Sequence, residues 1–294
     1  MQSVSAYLRI ALNASIITLN TLIHATPLLV LAVIKLLIPI HGFRVVVSRV
    51  LVQIAESWIW VNSALVTYTA GVNVKVEGLN GLQRKGWYLV ICNHQSWVDI
   101  PVLQKVFNRR IPFLKFFLKR ELIWVPVLGL TWWALDFPFM NRYSKDKLKK
   151  HPELRGKDTE ETRKACEKYR HLPVSVMNFV EGTRFTQEKH DRRRSPYENL
   201  LVPRSGGIAL VLGAMGEMLN AIVDVTLIYP AGRPSVLDLL AGRIREVRVI
   251  VDVIPIPVEL VQGDYENDAG FRVRFQAWLN ARWALKDAQM IKAS

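Results

Sequence analysis

Cysteine is scarce: the 294 residues hold only Cys92 and Cys166. With no paired spacing and no Cys/His cluster, these two thiols indicate neither a disulfide framework nor a structural metal site, and a reducing compartment fits them best. There is no glycine-rich phosphate loop of the Walker or dinucleotide type. The G-x-S-x-G turn of a serine hydrolase is missing too, so an acyl-serine intermediate is not expected. No internal repeat or low-complexity tract is apparent. Acidic residues are in deficit: 39 Lys and Arg face 25 Asp and Glu, for a net charge of +14. Such a surface attracts anions, whether lipid headgroups, nucleotide phosphates or nucleic acid, and charge alone does not choose among them.

Charge itself is missing between Arg9 and Lys35, where no Asp, Glu, Lys or Arg occurs. A helix over that interval would be about 37 Å long, enough to cross a bilayer. The apolar stretch is too long for a cleaved signal peptide, and no convincing small-residue cleavage site follows it. Asn13, Asn20 and His24 share a narrow sector of the helical wheel, and Pro27 should kink the helix. In residues 50–70, Gln53, Glu56, Ser57, Ser63 and Thr67 recur at helical spacing opposite Leu51, Ile54, Trp58 and Leu65, with Trp58, Trp60 and Tyr68 suited to a headgroup boundary. Two adjacent helices with polar stripes predict a hairpin embedded in one leaflet; one or two true spans, or helices packed on a soluble domain, remain alternatives. Lys35, Arg44 and Arg49 between them put the connection, and with it the rest of the chain, on the cytoplasmic face, which is that of the inner membrane if the source is bacterial.

From Val72 the pattern changes. Val72, Val74 and Val76 alternate with Asn73, Lys75 and Glu77, which predicts a half-buried strand and a boundary near Gly71 between an anchoring part, 1–71, and a domain, 72–294. Further strands are expected at 87–92, 173–180, 222–229 and 246–254. Helices are expected from Ser96, from near Asp158 (with Glu161 at capping-box spacing), over 208–219 and after Asn267. The expected fold is α/β, a mixed β-sheet flanked by helices and preceded by the membrane-associated hairpin. Ligand sites in such domains favour the loops at strand ends.

Asn93-His94-Gln95-Ser96-Trp97-Val98-Asp99 follows the buried strand at 87–92. Five residues on an ideal helix would place His94 and Asp99 about 140 degrees apart, so they can meet only across a non-helical corner. A histidine bonded to a carboxylate is fixed in one tautomer, its other nitrogen free to take a proton, which describes a general base. Cys92 could be imagined as a nucleophile, but its apolar run favours a core thiol.

The run W-Y-L-V-I-C-N-H-Q-S-W-V-D-I resembles the first block of the 1-acyl-glycerol-3-phosphate (PlsC-like) acyltransferase family. Three further blocks follow in order: Phe139-Met140-Asn141-Arg142 resembles its F-x-x-R block, 179–184 its E-G-T-R block, and 224–230 its strand-proline block. The longer context, W-A-L-D-F-P-F-M-N-R-Y-S and R-F-T-Q-E-K-H, is most similar to the YihG-type subgroup. Two positions depart from the usual F-P-E-G-T-R-S: Val180 before the glutamate and Phe185 after the arginine.

The resemblance implies direct transfer of an acyl chain from acyl-CoA or acyl-carrier protein, as co-substrate, to the sn-2 hydroxyl of 1-acyl-glycerol-3-phosphate. His94 would act as base and Asp99 as its support, with no metal and no other cofactor. Arg142 and Arg184 suit a phosphate because a guanidinium offers fixed, permanently charged donors. Glu181 would orient an arginine or accept a hydrogen bond from the glycerol, and Gly182, with Thr183 beside it, would allow close backbone approach. Lys115 and Lys119 lie in a segment resembling the family's acceptor-side region. The basic clusters at 145–150 and 192–194 read as solvated faces, or as contacts to anionic lipid or the phosphates of an acyl carrier. The expected partners are therefore a lyso-phospholipid, the acyl donor and an anionic membrane surface, not nucleic acid. Two alternatives stay open: the same chemistry on another lyso-lipid, and a non-catalytic, membrane-tethered basic binding or regulatory protein.

Overall fold

The computed structural model describes residues 4–140 and 172–293, with Glu160, Arg163, Lys164, Cys166, Glu167 and Tyr169 between them. Two helices come first, α1 (Val4–Leu37) and α2 (His41–Tyr68), joined by three residues and packed against one another. Both are long and apolar enough to cross a membrane.

The polar stripe read along α1 has a different purpose from the one its sequence suggests. Asn20 donates to Asn62 Oδ1 (2.8 Å) and to the Trp58 carbonyl (3.2 Å), while His24 Nε2 lies 3.2 Å from Ser57 Oγ. Asn13 donates to the carbonyl of Leu240 at 2.7 Å. These contacts lie inside the hairpin and against the domain, although the buried Asn13 Oδ1 has no partner among the described residues, so the stripe is not a water-facing side. What α1 leaves exposed is largely apolar, with Leu8, Leu12, Leu19, Ile23, Val30, Val33 and Leu37 interrupted by Arg9, Ser15, Thr18 and Thr26. On α2 the buried Glu56 turns to the domain and pairs with Arg84 at 2.6 Å. Lys35, near the end of α1, pairs with Asp136 at 3.0 Å.

The domain is built on six strands: β1 (Asn73–Glu77), β2 (Tyr88–Cys92), β3 (Leu114–Phe116), β6 (Ser175–Phe179), β7 (Ala221–Ile228) and β8 (Glu246–Ile254). Their order is β1-β8-β7-β2-β6-β3, and every neighbouring pair is parallel except β7 with β8. The sheet is thus mixed, as expected. β2 is central and buried throughout, which is why it reads as one apolar run, whereas edge strand β1 alternates as predicted. A separate ribbon pairs β4 (Leu118–Lys119) with β5 (Phe139–Met140); between them lie a 3-10 helix (Arg120–Trp124) and α4 (Leu128–Ala134).

Each face of the sheet carries its own core. On one side Val90 and Val225 meet α3 (Asp99–Phe107) and Leu28 and Leu51 of the hairpin. On the other, Leu89 and Ile91 meet α6 (Gly206–Met215), which follows α5 (Gln187–Arg193), and α9 (Ala269–Ala293), which follows α7 (Val236–Leu240) and α8 (Val258–Val261); Phe275 and Trp283 of α9 are fully buried. The buried Lys286 of α9 pairs with Asp224 of β7 at 2.5 Å, and Arg282 holds the other oxygen of that carboxylate at 2.8 Å. These pairs fasten α9 to the strand beside β2. Helix α3 begins at Asp99 rather than at Ser96 as the sequence suggests, for a reason that belongs to the site. The cluster at 145–150 lies outside the described residues, as do Asp158 and Glu161, but of the helix expected from near Asp158 the described Glu160, Arg163, Lys164, Cys166 and Glu167 are helical.

Candidate active site

Where β2 ends, Asn93 fixes the chain. Its side chain exchanges two hydrogen bonds with the backbone of Leu227, at 2.8 and 2.9 Å, standing in for one more step of strand pairing with β7. His94 follows at the carboxyl edge of the sheet. Its amide donates to Glu181 Oε1 (3.3 Å) and its carbonyl accepts from Phe185 N (2.8 Å).

The non-helical corner demanded by the His94-to-Asp99 spacing is present, and Asp99 builds it. Asp99 Oδ2 accepts from Gln95 N (2.7 Å) and Ser96 N (2.9 Å), which folds residues 95–98 into a turn and delays the helix to Asp99. The same oxygen lies 2.8 Å from His94 Nδ1. Asp99 Oδ1 accepts from the Tyr229 hydroxyl at 2.7 Å, and the carboxylate is fully buried. Burial first, and the facing Asp99 second, push the Tyr229 hydroxyl well above its ordinary pKa, so it stays a donor. The imidazole also lies flat on Phe179, 3.9 Å between ring centres and 12° between planes. With Nδ1 held by Asp99, Nε2 is the ring nitrogen left for chemistry.

His94 lines a cavity of about 890 Å³ with mostly apolar walls, among them Val66, Ile100, Phe116, Leu122, Trp132 and Leu239. Gly182, Thr183 and Arg184 line the same cavity. Gly182 has φ +70°, a backbone conformation that favours glycine over any residue with a Cβ. Thr183 Oγ1 accepts from Lys189 Nζ (3.0 Å), and the Arg184 guanidinium rests on the Trp97 ring, 4.4 Å from its centre. The departure at position 185 also has a visible use: buried Phe185 carries Arg233, whose guanidinium lies 3.6 Å from the ring centre while its Nε donates to Gln95 Oε1 at 2.6 Å.

Of the two roles expected for Glu181, the geometry goes against the glycerol contact and keeps a contact with an arginine. Its side chain is fully buried and does not line the cavity. Its two carboxyl oxygens accept from the backbone amides of His94 and Leu201, each at 3.3 Å, so it braces the loop beneath the histidine instead of meeting glycerol. Its contact with an arginine runs through its carbonyl, which accepts from Arg193 Nη1 at 3.1 Å. Burial pushes the carboxyl up to about 8.

Of the two lysines, Lys119 is exposed and lines the cavity, whereas Lys115 is half-buried over the Tyr169 ring at 4.6 Å and does not. Arg142 lies outside the described residues. Cys92 is fully buried, and burial raises its thiol well above the ordinary range, as suits a core residue. Sequence reading missed Tyr229, Phe179, Trp97, Lys189 and Arg233. Trp97, Phe179 and Tyr229 sit inside the recognised blocks and Lys189 inside the longer similar context, whereas no pattern in the sequence singles out Arg233.

A family model described as Acyltransferase matches residues 73–230, more than half of the chain. The 1-acyl-sn-glycerol-3-phosphate acyltransferase gamma of Mus musculus is 29% identical over 211 residues, covering 68% of this chain and 51% of that protein. Acyltransferase 3 of the same name from Arabidopsis thaliana is 29% identical over 179 residues, 55% of this chain and 44% of its own length. The chain thus spans about half the length of the curated relatives it matches. Among solved structures, the 1-acyl-sn-glycerophosphate (LPA) acyltransferase PlsC from Thermotoga maritima superposes with a TM-score of 0.54 at 16% identity, over 96% of this chain and 98% of that one. That likeness is one of fold.

Proposed function

The chain belongs to the acyltransferase family, and from that premise we propose that it transfers a fatty acyl chain from a thioester, acyl-CoA or acyl-carrier protein, to the sn-2 hydroxyl of 1-acyl-glycerol-3-phosphate, giving phosphatidic acid. The observation that carries the proposal is the His94–Asp99 pair, with His94 on the wall of a large apolar cavity shared with Arg184. Apolar walls suit acyl chains, the arginine suits a phosphate, and the pair suits removal of a hydroxyl proton.

In this mechanism His94 Nε2 takes the hydroxyl proton as that oxygen attacks the thioester carbonyl. The tetrahedral intermediate collapses by breaking the carbon–sulfur bond, and the imidazolium returns its proton to the departing thiolate. Asp99 holds the Nδ1–H tautomer and faces the imidazolium with its charge. General-base help contributes about a hundredfold to ten-thousandfold, so fixing both substrates in the cavity must supply much of the remainder. Residues 1–71 act as the anchor and 72–294 as the catalytic domain. The outward apolar side of the hairpin supports a seat in the membrane, with the site on the cytoplasmic side, where anionic lipid meets the basic surface.

The test is acyl transfer by purified wild-type and His94→Ala protein, with labelled oleoyl-CoA and palmitoyl-CoA and a panel of lyso-lipids. Product from the wild type alone, greatest with 1-acyl-glycerol-3-phosphate, is the expected result. Equal product from His94→Ala would refute the mechanism, and a larger yield with another lyso-lipid would replace the acceptor.

A further inference from the structure

One wall of the cavity belongs neither to the sheet nor to the hairpin. It is the segment between β4 and β5, in which Leu122, Leu128 and Trp132 face the cavity. The same segment carries large apolar side chains that face away from it: Trp124 is 85% exposed, Leu130 53% and Trp133 47%. The backbone that carries these side chains is closely packed. Val127, a β-branched residue, sits at φ +63°, and a Cβ on Gly129 would come within 2.0 Å of the Ile123 carbonyl oxygen. At its far end the segment is tied by Asp136 to Lys35 of α1 (3.0 Å) and by the Asp136 carbonyl to Tyr169 Oη (2.9 Å).

We propose that residues 120–134 are a third lipid-contacting element, with Trp124, Leu130 and Trp133 seated among the headgroups and upper acyl chains of an anionic bilayer, so that this wall of the cavity faces lipid. Two observations select lipid as the occupant. Helix α4 packs against α1, so its exposed Leu130 and Trp133 stand on a neighbour of the helix that presents Val30, Val33 and Leu37 outward. Exposed Lys119, Arg120 and Glu121 lead into the segment with a net positive charge, and cationic residues beside aromatic ones are what an anionic membrane surface attracts. A cluster of this kind in water would be an exposed apolar patch with no partner. The inference rests on the membrane seat proposed for the hairpin and not on the acyl-transfer chemistry.

The test uses the full chain with Trp124→Cys, and separately Leu130→Cys, labelled with an environment-sensitive fluorophore; both native cysteines are buried. In vesicles of equal parts phosphatidylcholine and phosphatidylglycerol, both labels should shift to the blue and be quenched by lipids brominated on the acyl chain. The same label at Arg274→Cys, on the exposed side of α9, should do neither. A solvent-like spectrum at 124 and 130 in vesicles would overturn the proposal. So would a shift that grows with protein concentration and resists the brominated lipid, because a second copy of the chain would then be the cover.

Discussion

Replacing Asp99 with asparagine separates what this carboxylate does by shape from what it does by charge. Oδ2 receives Gln95 N, Ser96 N and His94 Nδ1, while Oδ1 receives only the Tyr229 hydroxyl. An amide has a single oxygen, and only that oxygen can sit where two fixed backbone N–H groups point. The new NH2 therefore falls at Oδ1, where the Tyr229 oxygen can turn to accept. His94 keeps its tautomer, and the loss is confined to the negative charge facing the imidazolium. At about 4 Å and an effective dielectric of about 20 that attraction is about 4 kcal/mol, and the difference between charged and neutral hydrogen bonds sets a floor of about 1–2 kcal/mol. At 1.36 kcal/mol per tenfold, kcat should fall between about tenfold and a thousandfold, with Tm nearly unchanged. Asp99→Ala, by contrast, leaves two buried amides and a phenol unpaired at about 1–3 kcal/mol each, and Tm should drop steeply. Radiolabelled acyl transfer beside thermal melts of wild type, Asp99→Asn and His94→Ala reads both effects. If Asp99→Asn is as inactive as His94→Ala while melting like the wild type, the argument from the two amides is wrong.

Glu181 should make stability depend on pH. Burial keeps its proton on, so between the ordinary value of 4.5 and about 8 the folded chain binds one more proton than the unfolded chain. Its contribution is therefore full below that window, declines by about 1.4 kcal/mol per pH unit across it, and by about 5 kcal/mol in all. Denaturant midpoints from about pH 5 to about pH 8 should slope downward in the wild type and less so in Glu181→Gln; parallel slopes would remove Glu181 as the cause. Arg184→Ala should raise KM for the phosphate-bearing acceptor by about tenfold to a hundredfold, the worth of one charge-assisted hydrogen bond, with kcat little changed. A fall in kcat at constant KM would instead assign the guanidinium to the transition state.

The elements legible in the sequence are those whose signal is local. β8 runs Glu246–Ile254 as predicted, and β2, β6 and β7 lie within two residues of expectation, because buried parallel strands read as short apolar runs rich in Val and Ile. The stretch from β3 to α4 was not legible. I-P-F-L-K-F-F-L-K-R-E-L-I-W-V-P-V-L-G-L-T-W-W is apolar without a period, and it folds into a three-residue strand, a ribbon, a 3-10 turn and a short helix that exist only against β6 and α1. Asn13, Asn20 and His24 pointed to a hairpin without naming their partners, for a related reason. A polar stripe shows that a helix has a polar neighbour, and only the packing shows that the neighbour is α2, not water.

The site divides along the same line. His94 and Asp99 fall within six residues, so their meeting could be argued from spacing and a corner. Tyr229 is 130 residues from Asp99, and no local pattern joins them. What joins them is sheet direction. β2 lies parallel to both β6 and β7, with Cys92 opposite Phe179 on one side and Val225 on the other. Three chain segments therefore leave the sheet at one edge: His94 to Asp99 from β2, Glu181 to Arg184 from β6, and Tyr229 to Arg233 from β7. Reversing either neighbour would send its loop to the opposite edge and leave His94 without Glu181 beneath it or Asp99 without Tyr229. The parallel pairing of these strands is thus as much a condition of the proposed chemistry as the residues themselves, and it is the one condition that a single sequence does not display.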